Sequence, residues 1–241
     1  MRRAIALGIT AAALAASGCS EARSENGGGP TVERNFQVGS FDKIELAGAY
    51  DATVRTGSAP SVHARGNEKA IENLEVVVEN NTLVIRHKKR SGFSWGSKGG
   101  KVALTVTVPN LRGAELAGSG DIKVDRVAGD SFDGAIAGSG NLKVDRIEVG
   151  SLKLSIAGSG NAEVGSGRAK NAEYNIAGSG GINARGMTAE TAAVSIAGSG
   201  DIEAHASSTA SVSIMGSGDV ELTGGAKCSV SKAGSGNARC S

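Results

Sequence analysis

Between residues 120 and 222 the chain alternates apolar and polar positions in short, evenly spaced runs. Phe132/Gly134/Ile136, Leu152/Leu154/Ile156, Ala172/Tyr174/Ile176, Ala192/Val194/Ile196 and Ala210/Val212/Ile214 occupy every second position. The residues between them are Ser, Asp, Lys, Glu, Asn, Thr and Ala. Period two puts one set of side chains on one face of a strand and the other set on the opposite face. Each run is therefore predicted as a strand with an apolar inner and a wet outer face. A second alternating set follows each first one: Ile122/Val124, Leu142/Val144, Ala162/Val164, Ile182/Ala184, Ile202/Ala204 and Val220/Leu222. Its outward positions are Lys123, Lys143, Glu163, Asn183, Glu203 and Glu221.

What joins the two strands of each copy is always Gly-Ser-Gly. The triplets begin at 118, 138, 158, 178, 198, 216 and 234, so the period is 20 residues and then 18. Self-similarity at such a period marks a solenoid. Each copy reads strand, Gly-Ser-Gly corner, strand and a looser return. One copy cannot bury its own apolar face, but stacked copies bury a continuous core with ladders of Ile and Val. A corner needs positive φ or close backbone approach, which Gly supplies. The Asp or Asn after most triplets suits the same turn. Seven copies between strands speak against a phosphate loop, which occurs once and opens a helix. A Ca²⁺ β-roll would need Gly-Gly-x-Gly-x-Asp every nine residues. The second half of each copy lacks it, so no metal ligand set is assigned, and no cofactor is implied.

Residues 35–110 form a less regular first part. Phe36-Gln37-Val38, Lys43-Ile44-Glu45-Leu46, Ser61-Val62-His63-Ala64 and Lys101 to Val108 read as strands. Leu46 to Val54 looks like a degenerate corner, with Ala49-Tyr50 in place of Ser-Gly. Asn67 caps one short helix running to Leu74. Leu74 to Val78 and Thr82 to His87 flank Glu79-Asn80-Asn81, a hairpin signal. No linker separates this part from the repeats. The expectation is one domain over 35–241, with 35–110 capping the 111–241 repeats.

Residues 1–18 read as an export segment: Arg2 and Arg3, then an apolar run from Ala4 to Ala16 that is too short for a permanent span. Ala16-Ser17-Gly18-Cys19 resembles the lipobox of bacterial lipoproteins, with Ala16 where Leu is usual. The resemblance implies cleavage before Cys19 and lipid on its sulfur. Ser20 in place of Asp implies sorting to the outer membrane. The alternative is an ordinary secreted protein cut at a small-x-small site. Residues 19–34, rich in Ser, Gly and Glu, read as a flexible tether. Without residues 1–18 the 26 basic groups become 24 against 24 acidic ones. A neutral chain with 3% aromatic residues gives no reason to expect nucleic-acid binding.

One stretch carries candidate binding chemistry. His87 to Lys101 holds the only Trp of the chain and a run of cations. Phe93 and Trp95 could stack on a sugar or lipid headgroup while Lys88, Lys89 and Arg90 meet anions; a plain solvated hairpin loop has the same composition. Cys228 and Cys240 lie six residues before and after the first Gly of the last triplet, in the inward slots that Leu152 and Val164 fill earlier. In an oxidising compartment they are expected to form a disulfide pinning the last coil, the alternative being two free thiols. The third Cys is Cys19. An enzyme would need paired carboxylates or placed cations. Val-Asp-Arg recurs at 124–126 and 144–146 and is expected to stack as an Asp/Arg ion-pair ladder. His63, His87 and His205 are scattered and lie in no metal spacing.

Four features together resemble the head-GIN-domain family of putative auto-transporter adhesins: Phe-x-x-Ile-x-Leu-x-Gly at Phe41 to Gly48, Leu-x-Ile at Leu83 to Ile85, Val-x-Val-Pro-x-Leu at Val106 to Leu111, and the serial Ala-Gly-Ser-Gly-Asp/Asn corners. The resemblance covers Phe36 to Ser241. It implies an all-β, right-handed parallel β-helix-like solenoid at the cell envelope, without assigned catalytic residues. The expected function is a non-catalytic envelope lipoprotein, an adhesin or surface scaffold, anchored in the membrane by its lipid and binding glycan or protein. The alternatives are a carbohydrate-active β-helix enzyme, since that fold also hosts catalysis, and a self-associating structural protein.

Overall fold

The computed structural model describes residues 30–57, 59–88 and 102–241. The order of elements is β1 (Thr31–Phe36), β2 (Lys43–Gly48), β3 (Asp51–Thr56), β4 (Ser61–Asn67), α1 (Glu68–Glu72), β5 (Leu74–Glu79), β6 (Thr82–His87), β7 (Val102–Val108) and β8 (Gly113–Gly118). There follow β9 (Asp121–Gly138), β10 (Asn141–Gly158), β11 (Asn161–Val164), β12 (Gly167–Gly178), β13 (Gly181–Gly198), β14 (Asp201–Gly216), β15 (Val220–Thr223), β16 (Lys227–Gly234) and β17 (Ala238–Cys240). The fold is an all-β solenoid of about six turns with coils about 20 residues apart.

The repeat sets the register directly. β9 and β10 pair in parallel from Asp121↔Asn141 through Gly138↔Gly158, and β12 and β13 continue with Gly178↔Gly198. Like residues therefore stack on like residues, and the inward positions Ile136, Ile156, Ile176, Ile196 and Ile214 are all buried. Both glycines of each triplet are needed, for different reasons. The first takes a positive φ, for example +134° at Gly158, which side chains rarely adopt. The second has an ordinary φ, but a Cβ there would overlap the carbonyl oxygen of the coil before it. At the corner the chain hydrogen-bonds from coil to coil, as in Ser159 N–H to Gly138 O at 2.9 Å.

The expected looser return is instead strand, because β9 and β10 each run unbroken from one corner to the next. The return adds inward side chains of its own: Val127, Ile147 and Met187, all buried. They lie three residues after Val124, Val144 and Ala184. Two consecutive residues, such as Asp125 and Arg126, then both face outward, and the coil wall turns there.

The first part continues the same sheets. The degenerate corner at Gly48-Ala49-Tyr50 stacks under the first full triplet, with Gly48↔Gly118 and Asp51↔Asp121 in register. Asp121 N–H donates to Tyr50 O at 3.1 Å. β6 and β7 add to β2 and β3 in parallel, and beyond them the pairing turns antiparallel, β5 with β6, β4 with β7 and β1 with β4. Helix α1 has Asn67 as its cap, whose side-chain oxygen accepts from Lys69 N at 3.1 Å, and it buries Ala70 and Ile71 against the end of the core. Asn80 and Asn81 take positive φ, as the tight hairpin between β5 and β6 requires.

The tether assignment is corrected at one end. Residues 31–34 belong to β1, not to the linker. Their polar composition hid the strand, which is an exposed edge held by backbone pairing to β4 and by Glu33, whose carboxylate faces His63 at 3.5 Å and Arg65 at 3.6 Å. At the other end Cys228 and Cys240 form a disulfide. They stack on buried Ala210 and Leu222, but Cys240 is itself exposed because no further coil covers it.

Candidate functional site

The outer wall has two faces of different chemistry, both set by what stands at alternate positions. Along the strands after each corner, charges are staggered into ion pairs between coils. Lys123 meets Asp145 at 3.3 Å, Lys143 meets Glu163 at 2.7 Å, and Arg185 bridges Glu203 at 3.1 Å and Glu221 at 2.5 Å. Along the strands before each corner the outward residues are mostly small and hydroxylated or amidated, such as Ser151, Asn171, Thr191 and Thr209 in one column and Ser155, Asn175, Ser195 and Ser213 in another. Lys153 and Glu173 pair across that face at 3.2 Å.

The corner Asp and Asn residues are rungs of a ladder. Asp121 Oδ1 accepts from Asn141 N and Nδ2 at 3.0 and 2.8 Å, and Asn141 Oδ1 accepts from Asn161 Nδ2 at 3.0 Å. Asp219 Oδ1 accepts from Asn237 in the same way. Among the described residues no group of three or more His, Cys, Asp or Glu is placed to hold a metal ion.

The two Val-Asp-Arg motifs do not build the expected Asp/Arg pairs. Asp125 accepts from Thr56 N and Oγ1, both at 3.0 Å, and Asp145 pairs with Lys123. Arg126 instead stacks on Arg146 in register, because parallel pairing of identical repeats puts like over like. Arg146 borders a trough at the second turn of the coils. It has a volume of about 680 Å³ and is lined by Arg146, Glu148, Arg168, Lys170, Thr188 and Glu190. Val149 and Ala169 beneath it point inward, and Gly150 and Gly167 complete its floor.

Within the trough Arg146 Nη2 donates to Glu148 Oε1 at 2.5 Å. That bond, chiefly, and the further positive charge of Arg168 and Arg126 hold the Glu148 carboxyl below its usual range. Arg168 stands opposite Glu148 on the next coil. Among the described residues, no ion pair or side-chain hydrogen bond engages the charged groups of Arg126, Arg168 or Lys170. Sequence reading singled out Arg126 and Arg146 but passed over Arg168 and Lys170. Their only signal was the break in alternation at Gly165-Ser166-Gly167.

Of the residues expected in a contact loop, Lys88 is described. Its Nζ donates to Glu72 O at 2.6 Å and its N–H to Asn73 O at 2.8 Å, which ties the loop base to the end of α1. His87 beside it lies 5.2 Å, ring to ring, from buried Tyr50. Lys89, Arg90, Phe93 and Trp95 lie outside the described residues, as does Cys19. The remaining histidines are apart: His63 by Glu33, and His205 with Nδ1 3.1 Å from Thr223 Oγ1. Among the described residues no helix is long and apolar enough to cross a membrane.

No curated protein matches the chain. Among solved structures, one described as a putative adhesin from Bacteroides fragilis is similar with a TM-score of 0.79 at 23% identity, over 88% of this chain and 97% of that one. A second, described as a putative lipid binding protein from Parabacteroides distasonis, is similar at 0.69 and 27%, over 88% and 98%. A third, a putative adhesin from Parabacteroides merdae, is similar at 0.69 and 18%, over 89% and 98%. A family model described as "Putative auto-transporter adhesin, head GIN domain" matches residues 40–226, the stretch that holds the corner at Gly48 and six of the seven triplets. The chain belongs to that head GIN domain family.

Proposed function

We propose that the protein is a non-catalytic adhesin of the cell envelope, exported, anchored through lipid on Cys19 in the outer membrane, and binding glycan or protein with its outer surface. The observation that carries this reading is the coincidence of the family match with the solenoid wall. Residues 40–226 are built as a scaffold whose inner side is apolar and whose outer acids and bases hold coil to coil. Such a body offers shape and a fixed surface. Its carboxylates at Asp125, Asp145 and Glu148 are each engaged by a neighbour and not paired with one another as hydrolysis of a glycosidic bond would need.

The loop carrying Phe93, Trp95, Lys89 and Arg90 is the first contact surface in this reading, since aromatic faces with nearby cations suit sugar rings and acidic groups. Its base is held by Lys88 on α1 and His87 on Tyr50. The test is binding of a glycan panel and envelope fractions by the chain from Glu21 onward, beside F93A/W95A. Binding that the variant loses supports the loop, and binding it keeps moves contact to the wall. No binding by either refutes the adhesin reading. The anchor is tested separately, by labelling with a fatty acid in the native host. Label on wild type and none on C19A is expected, and equal labelling would refute the anchor.

A further inference from the structure

We propose that the trough at the second turn of the coils is a binding site for a linear acidic polysaccharide, with Arg146, Arg168 and Lys170, and Arg126 beside it on the coil before, receiving its carboxylate or sulfate groups. This rests on the reading of the protein as a non-catalytic binder and names the ligand class and a place for it on the wall.

Toward the ends of the repeats Arg112, Lys227, Lys232 and Arg239 make no ion pair among the described residues, but in the middle coils cations are matched across coils: Lys123 with Asp145, Lys143 with Glu163, Lys153 with Glu173, Arg185 with Glu203 and Glu221. At the second turn the matching stops. Arg126 and Arg146 stand in register on adjacent coils, a like-charge stack that Glu148 alone offsets among the described residues. Arg168 on the next coil, and Lys170 two residues along, have no partner of their own among the described residues. Only Arg146 is satisfied, by Glu148.

Geometry then selects the ligand. Successive coils lie about 4.8 Å apart, so the arginines of three coils spread over about 10 Å along the solenoid axis. The trough between them is open and about 680 Å³, deep enough for part of a chain laid along it. Thr188 adds a hydroxyl, so a sugar ring finds a hydrogen-bonding group beside the cations. Glu148 and Glu190 share the trough. They fit a ligand whose acidic groups are spaced out and whose hydroxyls are many. They oppose a nucleic acid, with its charge every 1.7 Å or so of duplex.

An anionic bilayer is the other surface that gathers cations. Peripheral membrane sites place apolar or aromatic side chains beside the basic ones, to enter the headgroup layer. Here Val149 and Ala169 are buried, and among the described residues the exposed large apolar side chains are Met215 and Val230, which line no part of the trough. The polysaccharide is thus the better occupant.

The test uses the purified protein with polygalacturonate, alginate and heparin, a fully methyl-esterified polygalacturonate, a neutral glycan panel, and vesicles of phosphatidylglycerol in phosphatidylcholine, read by calorimetry. Binding to at least one acidic chain is expected, weaker by tenfold or more in R168A/K170A and with the methyl ester, and weaker as salt rises. The double variant R112A/K227A removes the same charge from two other exposed positions and is expected to bind like wild type. Circular dichroism of both variants checks that the fold is kept. Equal binding by R168A/K170A, or equal loss in R112A/K227A, would overturn the site. Neutral glycans bound with no acidic chain bound would overturn the site and leave the adhesin reading standing. No glycan or envelope fraction bound would overturn both. Vesicles bound through Arg168 and Lys170 without polysaccharide binding would replace it with a membrane contact.

Discussion

Substituting Gly160 by Ala isolates the reason the second glycine of each corner is there. Gly160 has an ordinary φ, so alanine meets no conformational strain. Its Cβ, however, would fall well inside contact distance of Gly140 O and 2.8 Å from Ile136 Cγ2. Carbon–oxygen contacts settle near 3.3–3.6 Å, so the two coils must part locally by on the order of 1 Å. Two hydrogen bonds run across that gap, Gly160 N–H to Gly138 O and Asn161 N–H to Gly140 O, both already 3.2 Å long. Loosening them costs about 1 kcal/mol each, and overpacking a buried site adds roughly 1–3 kcal/mol. The expected loss is about 4 kcal/mol, against a typical total of about 5–15 kcal/mol. At roughly 2–4 °C per kcal/mol for a domain of this size, the thermal midpoint falls by roughly 10 °C. Two controls bracket it. Gly39→Ala meets nothing within 4 Å and should stay within about 0.5 kcal/mol of wild type. Gly129→Ala has open space but a φ of +147°, so it should show conformational strain alone, about 1–3 kcal/mol. Scanning calorimetry gives the order, and hydrogen exchange shows whether amides at residues 136–161 open first. If G160A unfolds with G39A, close approach is not what keeps glycine at this corner.

Other outcomes follow from the ends and the interior. Reducing Cys228–Cys240, or making C228S/C240S, should release about 3 kcal/mol of loop constraint and raise hydrogen exchange in residues 220–241 only; a change in coils 121–180 would contradict a local role. Burial pushes the Tyr50 phenol up to about 12 and raises Tyr174 further, with its hydroxyl beside Met187 Sδ at 3.9 Å. The unfolded chain releases phenol protons from about pH 10, so the stability of the folded state is intact below pH 10 and is lost as the pH rises toward 12. Absorbance at 295 nm should show the native tyrosinate at pH 11 below about a fifth of that in urea, and coincident native and unfolded titrations would refute the burial of both rings.

Much of the fold was legible because the repeat encodes its own register. Once the triplets are aligned, 20 residues of separation become one coil of stacking, and Ile136, Ile156 and Ile176 must meet. The same alignment places Cys228 over Ala210 and Cys240 over Leu222, close enough to bridge. The Asn67 cap and the Asn80-Asn81 turn were readable for a different reason: each is satisfied by its own neighbours in sequence.

The second turn was not legible. Alternation breaks between Val124 and Val127, and nothing in a single copy says whether Asp125 and Arg126 then enter a loop or stay in the sheet. The pairing of whole coils decides it, because each return strand finds its partner on the coil before. β1 was hidden similarly, since its inner face carries only Val32 and Phe36 with Arg34 between them, too little to show a period. The trough is the clearest case of what only the tertiary structure could decide. Its cations come from two adjacent coils, Arg146 from one and Arg168 and Lys170 from the next, and its unmatched charge from which acids lie within reach. Sequence by itself determines which residues face inward, because burial imposes a periodic pattern on the chain. Which outward residues become neighbours depends on register and on the volume each coil leaves empty, and outward positions carry no pattern that records either.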